Sequence, residues 1–264
     1  MYKLLTASLF ASLLFISCQK EVSNGSGPTP GGGPDTTTNP PTSKDTSFQP
    51  ATKDSYWAYK STSTDSDTTS ADTLRATGNT KDFNGHTYDI FSGSLDGTGS
   101  ASESYMRTDG DGNMYLLSDI SDTALGANTL EILYTNTKQN AGYTWTYSGG
   151  NISGLPLTFN GKILEKNITK DVQGKTYTNV IHSQVTAGFT VVLQTITLLT
   201  YDVYVAQGVG IIKIDTKVTT GTLKALFDQL EALGQDLSQY QDLIDSLGTA
   251  DITITSELAG YEIK

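Results

Sequence analysis

Two segments near the end of the chain alternate apolar and polar residues in strict register. In Gly210–Val218, Ile212, Ile214, Thr216 and Val218 fall on one face, with Lys213, Asp215 and Lys217 on the other. In Asp251–Leu258, Ile252, Ile254 and Leu258 oppose Asp251, Thr253 and Glu257. A period of two buries one face and leaves the other wet, which is the habit of an antiparallel sheet. A slip of one residue would turn Ile212 and Ile214 out to solvent together, so the register is strongly specified. The two segments are expected to pair as antiparallel neighbours.

The rest of the chain fits the same class. Tyr56-Trp57-Ala58-Tyr59 is an aromatic strand, and Asn84-Gly85 joins Arg75–Phe83 to His86–Phe91 as a type I′ hairpin. Asp109-Gly110-Asp111-Gly112 separates Glu103–Thr108 from Asn113–Ser118, and Asn160-Gly161 is read as a third hairpin, between Leu155–Phe159 and Lys162–Asn167. Further strands are expected at Thr129–Thr135, Tyr143–Tyr147, Thr176–Val185 and Phe189–Val205, the last broken once. Ten to twelve short strands predict a mainly β fold: a curved antiparallel sheet forming a barrel, half-barrel or sandwich. It carries a short helical insertion before the last strand. Across 222–247, Leu223, Leu226, Leu230, Leu233, Leu237, Tyr240, Ile244 and Leu247 recur at spacings of three and four. A helical hairpin, turning at Gly234 with Asp236 as the next N-cap, is favoured over one long helix, because it returns the chain to its start without a crossover.

The beginning of the chain is different. Lys3 and the apolar run Leu4–Ile16 lead into Phe15-Ile16-Ser17-Cys18, which has the form of a lipobox. The apolar run is shorter than the ~20 residues a membrane-spanning helix needs. Cys18 is the single cysteine, so it has no disulfide partner in the chain. Residues 1–17 are therefore read as a lipoprotein signal peptide and Cys18 as the lipidation site. Residues 18–50 are read as the lipidated cysteine and a flexible Gly/Pro/Thr/Ser-rich tether, and 51–264 as a single β-rich domain with the helical insertion 222–247. Removing residues 1–17 takes Lys3 from the 17 basic side chains and leaves 16 against 28 acidic ones, a net charge of −12. That balance argues against a nucleic-acid partner, so attachment to the membrane falls to acyl chains on Cys18.

No residue pattern announces chemistry. Asp109, Asp111 and Asn113 resemble the opening of a calcium loop, but Met114 and Ile120 stand where such a loop needs Gly and Glu. His86 and His182 are the two histidines, and neither has metal-ligand spacing around it. There is no Gly-x-Ser-x-Gly elbow, and Gly208-Val209-Gly210 precedes a strand rather than a helix. The expectation is a protein without catalytic residues, metal or cofactor. Trp57 and Trp145 are the candidate ligand-binding residues, as a sugar-stacking platform; core packing is the commoner fate of such rings.

The segments Tyr56–Tyr59, Phe83–Tyr88, Tyr177–His182, Tyr204–Lys213 and Ser256–Lys264 together resemble uncharacterised cell-envelope lipoproteins of the Bacteroidota, with an early aromatic strand and a late Tyr-x-Ala-x-Gly-Val-Gly segment. The resemblance implies a β-rich domain on the envelope and names no ligand, reaction or protein or glycan partner. Gln19-Lys20-Glu21 resembles the signal that sends such proteins to the outer face, which implies outer-membrane anchoring with the cell surface favoured over the periplasmic face. The expected function is non-catalytic, as a binding or structural component of the surface. The alternatives are a periplasmic carrier or chaperone for acyl chains or lipoproteins, with 222–247 as lid, and a glycan-binding module.

Overall fold

The computed structural model describes residues 46–64, 69–93, 95, 103–118, 130–152, 155–191, 194–234, 236–238, 241, 244 and 250–264. The signal segment, Cys18 and the tether up to residue 45 lie outside them. Twelve strands run β1 (Tyr56–Ser63), β2 (Thr69–Phe83), β3 (His86–Ser92), β4 (Glu103–Thr108), β5 (Asn113–Ser118), β6 (Leu130–Asn136), β7 (Thr144–Ile152), β8 (Leu155–Val172), β9 (Lys175–Val191), β10 (Gln194–Ala206), β11 (Gly210–Val218) and β12 (Ile252–Glu262), with the helix α1 (Thr220–Ala232) between the last two. They form one antiparallel sheet in the order β6-β5-β4-β3-β2-β1-β12-β11-β10-β9-β8-β7. The first and last strands pair at its centre, Tyr56 opposite Glu262, and the two edges are the consecutive strands β6 and β7. Rolling brings those edges together and nearly closes a barrel.

The expected pairing of the two alternating segments is present, with Lys213 opposite Glu257 and Val218 opposite Ile252. Trp57, Tyr59 and Ser61 of β1 point inward and are buried. Trp57 donates its indole N–H to the Val209 carbonyl, and the Tyr59 hydroxyl donates to the Ile211 carbonyl at 2.8 Å. The early aromatic strand and the late Gly-Val-Gly segment are thus joined inside the barrel although β12 separates their strands in the sheet.

Asn84 and Gly85 have positive φ, 49° and 81°, as a type I′ turn requires. Asn160-Gly161 is not a turn. β8 runs through it, and a Cβ at Gly161 would lie 1.9 Å from the Trp145 ring on β7. That glycine makes room for an indole, and the chain turns instead at Gln173-Gly174, with φ of 49° and 74°. β9 likewise continues through 186–188, so the strand break falls between Val191 and Gln194.

The helical segment closes one end, here the upper. Leu223 and Phe227 are 1% exposed and belong to the main core. The Asp251 carboxylate accepts from the Thr222 N–H and hydroxyl, each at 3.0 Å, and so ties the first turn of α1 to the start of β12. The helix ends at Gly234, whose φ is 80°, and Asp236 accepts from the Ser238 N–H at 3.0 Å. Helical backbone resumes at Gln241 and Ile244. A single long helix is therefore excluded.

Candidate functional site

The lower end of the barrel carries a concave site. Here the chain enters: Thr46–Pro50, the last part of the stretch read as tether, lies on the domain. The Gly208 N–H donates to the Ser47 carbonyl at 2.7 Å, the Gln207 amide donates to the Thr46 carbonyl at 3.0 Å, and Phe48 packs on the core. Between this segment, β3, β4 and Thr137 is a cavity of about 400 Å³, within the range of small-molecule sites.

Asp89 faces into that cavity. It sits opposite Met106 across the β3–β4 pair, and Met106 is a core residue, so the carboxylate shares the buried face. Burial pushes its carboxyl above the usual range, and no cation offsets the shift. The Gln49 side-chain oxygen is buried there too, with no donor from the protein. Arg107 is held elsewhere. Its guanidinium pairs with Glu131 at 2.6 Å and stacks 3.6 Å from the centre of the Tyr115 ring. Tyr88 donates to the same carboxylate, and burial together with that hydrogen bond pushes its hydroxyl up to about 12.

The residues singled out in the sequence lie apart from this mouth. Trp57 is 1% and Trp145 9% exposed, and both belong to the core, so neither ring offers a face for stacking a sugar. Ile212 is fully buried, Ile214 packs on the same core, and α1 fills the upper end. Among the described residues, therefore, the interior around Ile212 and Ile214 is packed side chain rather than an acyl-chain store. Asp109 closes its hairpin on itself, accepting from the N–H groups of Asp111 and Asn113 at 2.9 Å. Partial burial alone would raise its carboxyl, but these bonds and those from the Asn113 and Tyr115 side chains outweigh it and hold it low.

His86 is exposed at the β2–β3 turn, whereas His182 is buried on the outer face of β9. Its Nδ1 lies 3.0 Å from Glu165 and its Nε2 2.9 Å from Asp202, and Tyr204 stacks on the ring at 4.1 Å. With both nitrogens engaged, the imidazole has no lone pair left for a metal or for proton abstraction. The cluster stitches β8, β9 and β10 together.

No family model matches this sequence, and no curated protein aligns with it. Among solved structures, a "putative lipoprotein" from Parabacteroides distasonis is similar at 10% identity and a TM-score of 0.38, covering 83% of this chain and 100% of that one.

Proposed function

We propose that this chain is a lipid-anchored outer-membrane lipoprotein facing the cell surface, and that its barrel acts by binding or as a structural element rather than by catalysis. The observation that carries the anchor is the lone Cys18 behind Leu4–Ile16 and Phe15-Ile16-Ser17. The non-catalytic reading is supported by how the polar side chains are used. His182, Arg107 and Asp109 are each committed to neighbours that hold strands or turns together. The chain joins the barrel at its lower end, so the tether would place that mouth on the side from which the anchor comes.

Growth with an alkyne fatty acid tests the anchor. The wild type should take the label, and Cys18→Ala should lose it and accumulate as a longer precursor. Equal labelling of the two proteins would overturn the assignment. Protease added to intact cells should degrade the domain; full protection until the outer membrane is permeabilised would place it on the periplasmic face.

A further inference from the structure

From the lower mouth we infer a binding site for a small ligand bearing a primary ammonium group. The site is built from acceptors. Asp89 contributes a carboxylate on the buried face with no hydrogen-bond partner among the described residues, and Gln49 contributes an amide oxygen in the same condition. Arg107, the cation in the lining, is committed to Glu131, Tyr88 and Tyr115 on the other face of the sheet. The walls add Phe48 and Met106, which suit the methylene part of an alkylamine.

A carboxylate withdrawn from water without a partner is costly, and it is normally paired or replaced. Two acceptors converging on one cavity select a donor-rich guest, and an ammonium supplies three N–H bonds and the missing charge. An anion would meet the Asp89 charge, and a neutral polyol would leave that charge uncompensated. The cavity volume suits a short-chain amine, an amino sugar or a lipid headgroup, all of which present the same ammonium. This inference concerns the lower mouth alone and stands whether or not Cys18 is acylated.

The test is calorimetric titration of the full-length lipidated protein in detergent with three probes of one chain length: cadaverine, pentanediol and glutarate. Cadaverine should bind saturably, with an affinity at least roughly tenfold above that of pentanediol, and glutarate should give no heat of binding. Asp89→Asn should weaken cadaverine by at least about tenfold while the unfolding temperature holds or rises. Gln49→Ala, a second variant that keeps the carboxylate, should weaken it less. Glycerophosphoethanolamine, titrated alongside, separates a headgroup ligand from a free amine by which of the two binds more tightly. Equal binding of the three isosteres, unchanged binding by folded Asp89→Asn, or no saturable heat from either amine would overturn the inference.

Discussion

Trp145 donates its indole N–H to the Leu133 carbonyl at 3.1 Å, and two residues further along β7 the Tyr147 hydroxyl accepts from the Leu133 N–H at 3.1 Å. Both backbone groups of one β6 residue are thus satisfied by side chains of β7, where a closed barrel would use a backbone ladder. Edge strands left bare invite pairing with other chains, and here aromatic side chains cover the edge at Leu133. The Thr135 and Ser183 hydroxyls, 2.7 Å apart, add a second link between β6 and β9.

Trp145→Phe keeps most of the ring volume and removes the donor. The Leu133 carbonyl is then left without its partner, and the expected loss is about 1–3 kcal/mol. Trp145→Ala also empties the core position, for a loss of about 3–5 kcal/mol. Urea unfolding followed by tyrosine fluorescence measures both. A Phe variant as stable as the wild type would mean that solvent already reaches this carbonyl.

Gly161→Ala places a methyl group where the Trp145 ring stands. Overpacking of this kind costs about 1–3 kcal/mol. The two residues touch, so their effects should not add: in the Gly161→Ala, Trp145→Ala double variant the added methyl should be nearly free of cost. Additive losses in the double-mutant cycle would show that the glycine serves the backbone rather than the indole.

The contrast between Asn84-Gly85 and Asn160-Gly161 shows how far local sequence carries the fold. Both dipeptides have the chemistry of a tight turn, but the second is held extended by β7 on one side and β9 on the other. That contact is long-range, and no local pattern encodes it. Alternation was readable in Gly210–Val218 and Asp251–Leu258 because one face of each is wet. The closing of the ring at Leu133 was not, since it depends on which side chains meet after the sheet rolls. The mouth left one trace in the sequence: Asp89 lies two residues before Phe91, a carboxylate on the apolar face of its strand. Gln49 left none, because its burial comes from a segment read as tether.

Phe227 and Leu223 decide whether the helical segment is an ornament or part of the core. Both are buried at the upper end, so Phe227→Ala should destabilise the domain by about 3–5 kcal/mol. Replacing 220–249 by an Asn-Gly turn would leave β11 and β12 able to pair but would uncover the core beneath. That variant should bind a hydrophobic dye and unfold without a cooperative transition. A stable, cooperatively folding deletion variant would show that the strands alone complete the core.

Asp89 offers a pH signature that isolates one group among many. Burial raises its carboxyl in the folded state above its value in the unfolded chain. Such a group penalises the folded state when ionised, so the penalty is full above the folded pKa and vanishes below the unfolded one. Asp89→Asn should therefore be more stable than the wild type at neutral pH, with the difference shrinking as pH falls through the raised value. Asp109 and Glu257, whose carboxyls are held low, lose their stabilising contribution as pH falls, but equally in both proteins. Taking the difference between the two unfolding curves at each pH removes them. Saturating cadaverine should narrow the gap at neutral pH, because a bound ammonium stabilises only the protein that retains the carboxylate. A wild type that is the more stable of the two at neutral pH, with no ligand added, would show that Asp89 already has a partner.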